Sequence, residues 1–203
     1  LRQALLDPQR RHADEALYAA YGLHVARTGD LLFRQWGGFQ PDKHPVFFWV
    51  LGGLIRVFGH AEMVPRLPSL SASIAFVYLI MARISGRAAA IVAAAVFGAG
   101  FLTALHGASV FIDPLTVALG LGAVWLAVRG NALSAGALLA LAVAMKLLGA
   151  IFLPIALAAL VAQGGIRAGL RFLLAFAVAL GVLFAPAILG ALLGKETFLS
   201  RGA

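Results

Sequence analysis

RGNALSAGALLALAVAMKLLGAIFLPIALAALVAQGGIR, residues 129–167, has an arginine at each end, one lysine at 146 and no acid. As a single helix its interior, 131–163, would run about 50 Å, against about 30 Å of bilayer hydrocarbon. One crossing leaves it too long, and two leave it short. Charge decides the matter: Arg129 and Arg167 belong on the same, cytoplasmic side of a membrane, so the chain between them must go out and come back. Two short helices broken near Gly149 and Pro154, or a re-entrant pair, satisfy that requirement. Lys146 then lies near the turn.

The rest of the chain agrees with a membrane reading. Its 203 residues are 62% hydrophobic and 12% charged, with mean hydropathy +0.96. A soluble domain carries about twice that charge fraction. Apolar runs at 66–82, 88–106, 114–128, 133–147, 149–162 and 170–193 predict an all-α polytopic membrane protein of about six spans or half-spans. Arg83, Arg87, Arg129, Arg167 and Arg171 fall at alternate span ends, in loops without acids, which makes those loops cytoplasmic. All eight acids (Asp7, Asp14, Glu15, Asp30, Asp42, Glu62, Asp113 and Glu196) then lie on the outer side. The first residues, LRQALLDPQRRHADE, lack the apolar core of a removable signal peptide, and the chain reads as a fragment of a longer protein. With no cysteine there are no disulfides or thiolate metal sites. The net charge of +8 is scattered between spans rather than gathered on a face interleaved with aromatics. That excludes nucleic acid as the partner and favours lipid phosphate.

Residues 1–65 differ in kind and predict an outer loop preceding a helix bundle over 66–203. Asp14 to Arg27 reads as an amphipathic helix with Leu17, Tyr18, Tyr21 and Val25 on one face, ended by Gly29. A second helix runs from about Pro45 to Phe58, with Gly59 after it. Its ~14 residues reach only ~21 Å. Both helices are expected in the outer interface, with Trp49 and the phenylalanines dipping into lipid.

Four polar sites converge on that outer face: Asp14-Glu15, Asp42-Lys43-His44, Arg66 and Asp113. Lys146 approaches from below. Each has a plain structural reading: Asp14 as an N-cap, Asp42-Lys43 as a solvated turn, Arg66 as a snorkelling arginine, Asp113 as the cap of a span beginning at Pro114. Lys146 deep in an apolar run is harder to dismiss. The five histidines show no metal-ligand spacing, and no P-loop or nucleophile elbow is present. A carboxylate, cations and membrane helices on one face suit displacement of a lipid phosphate from a sugar. The carboxylate would take a proton from the attacking acceptor, a cation would stabilise the departing phosphate, and interfacial aromatics would exclude water.

At these residues the chain resembles a family. DEALYA (14–19), GD (29–30), DKHP with FFW (42–49), FG (58–59), RLPS (66–69), DP before a span (113–114) and a lysine in a later span (146) follow the order seen in the GT-C glycosyltransferases. The similar branch contains the lipid A aminoarabinose transferase and the protein O-mannosyltransferases, and the resemblance covers their N-terminal half. It implies a GT-C-like bundle with two interfacial juxtamembrane helices in the first outer loop, in the cell inner (plasma) membrane, with the site facing the periplasm or exterior. It implies an inverting transfer from a polyprenyl-phosphate-linked sugar to a lipid, glycan or protein acceptor. Asp14 would be the catalytic base and Asp113 the second acid. Lys43 would contact the donor phosphate, with Glu15, Asp42, Arg66 and Lys146 as further substrate-binding residues. Metal dependence, including a divalent cation, stays open. One departure is His44, which stands where the family has a proline. The rival reading is a non-enzymatic polyprenyl-phosphate-sugar flippase or transporter subunit. It needs charges along a path across the membrane, whereas here only Lys146 lies well inside a span.

Overall fold

A computed structural model describes residues 13–31, 33, 45–59, 64–99 and 112–192. Among these residues the fold is entirely helical. The α-helices are α1 (Ala13–Thr28), α2 (Val46–Phe58), α3 (Leu67–Ile84), α4 (Gly86–Ala99), α5 (Asp113–Val128), α6 (Ala132–Met145) and α7 (Leu153–Leu192). Short 3-10 turns at Val64–Arg66 and Leu147–Phe152 lead into α3 and α7. The chain packs as two compact units, one of residues 1–29 and 48–118, the other of residues 30–47 and 119–203. This division follows packing rather than membrane side, so it does not address the expected boundary at 65/66.

In the first unit, α1 and α2 end where the sequence ends them. Gly29 and Gly59 take positive φ (69° and 81°), and their N–H groups donate to Val25 O and Ile55 O at 2.9 Å. Only glycine enters this conformation without strain, so each helix stops there. The two helices meet closely at Gly22 and Gly52. A Cβ on Gly52 would come within 2.8 Å of Val25 Cβ, and one on Gly22 within 2.7 Å of Leu51 Cβ. Phe48 packs against Tyr18 and Tyr21, with ring centroids 5.7 and 4.8 Å apart. Arg56 Nε closes the pair by donating to Ala26 O at 2.9 Å. Two expectations are corrected here. Phe47 and Phe48 are 0% exposed, so these phenylalanines are protein core and do not dip into lipid. The α1 helix buries Ala16, Ala19 and Ala20 as well as Tyr18, Tyr21 and Val25, a far wider face than an interfacial helix presents.

The α3 and α4 helices pack as a hairpin turned at Ser85–Gly86, with Ala72, Ala90 and Ala94 buried. Pro68 sits in the first turn of α3, where its missing N–H costs nothing. The hydroxyls of Ser71 and Ser73 donate to Leu67 O and Ser69 O at 2.6 and 2.8 Å, so they need no water. Leu79, Ile80, Ile84, Ile91, Val92 and Val96 face outward. The 3-10 turn and α3 together give Val64–Ile84, 21 residues at hydropathy 1.6, long and apolar enough to cross a membrane.

The second unit contains the expected reversal. The α6 helix stops at Lys146, whose φ of −151° and ψ of 131° are extended, and Leu147–Phe152 follows as 3-10 turns. Gly149 presses on the α6 backbone, where a Cβ would lie 2.8 Å from Ala142 C and O. The α7 helix is two arms, because Gly165 (φ 66°, ψ −168°) interrupts it. The first arm returns along α6: Ala156 and Leu160 share a core with Ala135, Leu139 and Ala142, and Gln163 reaches back to Ala127 O. The second arm then packs on α6 at Gly136, where a Cβ would strike the Phe172 carbonyl and the Phe176 nitrogen. Such small-residue contact lets helices approach backbone to backbone.

Leu147–Ala185 is the second stretch long and apolar enough to cross, 39 residues at hydropathy 2.2. Among the described residues a helix falls in every predicted span; α4 is described only as far as Ala99, whereas α5 and α6 have 16 and 14 residues. At about 1.5 Å per residue these reach roughly 21–24 Å, short of a full crossing.

Candidate functional site

Asp14 and Glu15 fall in the first turn of α1, where an acid complements the unpaired N–H groups of a helix start. Asp42, Lys43 and His44 lie outside the described residues. Arg66 closes the 3-10 turn and is half-buried at the start of α3, without a side-chain capping bond. Asp113 is half-buried in the first turn of α5. In the same turn Thr116 N–H and Oγ1 both donate to Ile112 O at 3.0 Å.

That turn borders a cavity of about 390 Å³ walled by Ser73, Phe76, Val77, Phe97, Asp113, Pro114, Val117 and Ala118. The walls come from α3, the end of α4 and the start of α5. Apart from Asp113 and Ser73 they carry only apolar side chains, and the Ser73 hydroxyl is spent on Ser69 O. The result is a greasy slot with a carboxylate residue at its edge. Arg66 stands two turns before Ser73 on the α3 line, about 10 Å along the axis.

Lys146 sits in the second unit at the break itself. Its N–H donates to Ala142 O at 3.1 Å and its carbonyl accepts from Gly149 N–H at 2.8 Å. It is half-buried. The first unit thus holds Arg66, Asp113 and the helix start at 14–15, and the second holds Lys146. Sequence reasoning missed Ser73, Phe76, Val77 and Phe97 as cavity walls. One available signal was the serine spacing in LPSLSAS (67–73), polar residues inside a span. Among the described residues no group of three or more His, Asp or Glu side chains could hold a metal ion.

No known protein family, curated protein or solved structure matches the chain.

Proposed function

We propose that the chain is part of an inverting glycosyltransferase that moves a sugar from a polyprenyl-phosphate donor to an acceptor at the outer face of the inner membrane. The observation that carries this reading is the cavity beside Asp113. Its apolar walls suit a prenyl tail, and its acidic edge lies at the start of a helix expected to open on the outer side. The order of short motifs from Asp14 to Lys146 supports the same reading, as do two stretches long and apolar enough to cross a membrane.

In the proposed reaction the acceptor oxygen or nitrogen attacks the anomeric carbon as its proton passes to the Asp14 carboxylate. The anomeric carbon–oxygen bond to phosphate breaks on the opposite side, inverting the centre. Polyprenyl phosphate leaves with the bonding electrons, and Lys43 and Arg66 offset its growing charge. Asp113 is the second acid of the site, and Lys146, Glu15 and Asp42 belong to substrate binding.

The test is binding of a polyprenyl phosphate by the purified protein in detergent, with the uncharged polyprenol as control. The phosphate should bind more tightly than the alcohol, and Lys43→Ala should remove most of that difference. Lys43→Arg should restore part of it, because a guanidinium carries the charge with a different reach. Equal affinity for phosphate and alcohol would sink the reading. A flippase would bind the phosphate yet show no transfer to any acceptor.

A further inference from the structure

The second unit has a basic end. Gln163 Nε2 donates to Ala127 O at 3.4 Å, which brings the bend at Gly165 and the turn at 129–131 to the same end. Arg129 lies in the turn at 129–131. Arg167 follows Gly165 by two residues, and Arg171 is one helical turn further along α7. All three are exposed. The Arg129 guanidinium lies over the Trp125 ring, 4.7 Å from its centroid. Trp125 is 41% exposed, and Val128, Leu133, Ile166, Leu170 and Leu174 beside these turns also face outward. No acid occurs in the sequence between Asp113 and Glu196, so neither α6 nor α7 supplies a carboxylate to these guanidiniums.

We infer that this end of the second unit is a docking face for anionic phospholipid headgroups, with Arg129, Arg167 and Arg171 on the phosphates and Trp125 at the interface. Three features point to lipid rather than another anion. A guanidinium fork matches phosphate oxygens with two parallel hydrogen bonds. An indole with one polar edge settles at headgroup depth. The outward Val, Leu and Ile side chains give the acyl chains below the phosphate a surface to cover, which a soluble phosphate or an acidic peptide would leave wet. The inference rests on the membrane part of the proposed reading and not on sugar transfer. Its test contains no sugar donor, so the two fail separately.

The experiment makes Trp125 the only indole by Trp36→Phe and Trp49→Phe. The chain is placed in nanodiscs of equal phosphatidylglycerol and phosphatidylcholine, with bromine near the headgroup of one lipid or the other. Each arginine near an anionic surface is worth about fivefold in local attraction. Brominated phosphatidylglycerol should therefore quench Trp125 at least about twofold more than brominated phosphatidylcholine. The preference should shrink at about 0.5 M salt, where exposed charges are screened within a few ångströms. Arg129→Gln/Arg167→Gln/Arg171→Gln should abolish it, and Arg27→Gln, on α1, should leave it unchanged. Inorganic phosphate at about 10 mM should not compete, since a free anion lacks the acyl chains that fix the lipid here. Equal quenching by the two lipids would overturn the inference. So would a preference that ignores salt, one that survives the triple substitution, or one erased by inorganic phosphate. Should the triple variant not fold, the salt series on the unsubstituted arginines still decides.

Discussion

The α1–α2 pair and the α6–α7 pair are both apolar and both joined at glycines, yet they are built on different principles. Between α1 and α2, glycines receive large side chains: Leu51 covers Gly22, Val25 covers Gly52, and Phe48 wedges against Tyr18 and Tyr21. Between α6 and α7, Gly136 brings one backbone against another, with Ala135 and Ala142 buried in the same core. The first pair buries aromatic area, the larger share of folding energy wherever water competes. The second gains from close van der Waals fit, the term that remains when the surroundings are as apolar as the helices. The charges differ too. Acids fall in the first turns of α1 (Asp14, Glu15) and α5 (Asp113), whereas α6 carries no charge and α7 only the cations Arg167 and Arg171.

The largest expected effect tests whether the acids of the first unit do chemistry. Asp14→Asn should cost roughly 10²–10⁴-fold in transfer rate while donor binding persists, the usual worth of a general base. An Asp14 that merely caps α1 would instead cost about 1 kcal/mol of stability with near-normal turnover. Turnover and denaturation midpoint, measured on one preparation, separate the two.

Next comes the aromatic wedge. Phe48→Ala should destabilise by about 3–5 kcal/mol, as other truncations of fully buried rings do. Chemical denaturation in detergent would read it. A change under about 1 kcal/mol would mean that Phe48 is not core.

The backbone contact should give a smaller effect of the opposite kind. Gly136→Val adds volume where none is free and should cost roughly 1–3 kcal/mol. Gly53, with nothing near its missing Cβ, is the control, and Gly53→Ala should be neutral or slightly stabilising by removing a flexible residue from a helix interior. If both substitutions behave alike, the contrast between the two seams fails.

The smallest effect concerns Asn131, whose side chain accepts from Ser134 N–H at a long 3.4 Å at the start of α6. Asn131→Ala should cost about 0.5 kcal/mol, the low end for a lost cap.

Much of the helical frame was legible because punctuation residues are local. Gly29 and Gly59 ended helices for reasons carried by single residues, and Pro114 fell in the first turn of α5 as its fixed φ prefers. The reversal inside 129–167 followed from length and charge alone. The break spans Lys146 to Phe152 and holds Gly149, as its sequence suggests. Gly149 also gives room for the Ala142 backbone, whereas Pro154, second in α7, starts a helix rather than ending one. The burial of Phe47 and Phe48 was not legible, because a phenylalanine in an apolar helix reads the same whether it meets lipid or protein. Gly22, a gap on the facing helix, was the missing clue. At the site, Asp113 and Arg66 could be singled out as charges beside spans. The walls Phe76, Val77 and Phe97 could not, because a cavity depends on how α3, α4 and the start of α5 pack.

The bend at Gly165 sets a count. Without it, Leu147–Ala185 would be a rod of about 58 Å, nearly twice the thickness of bilayer hydrocarbon. With it, the same residues form a return leg and an outgoing leg. In a membrane, one residue in a left-handed conformation thus fixes whether the number of passes is odd or even. Everything after α7 inherits its side of the membrane from that parity. An alanine at 165 would favour the straight rod, and the chain beyond would emerge on the opposite side.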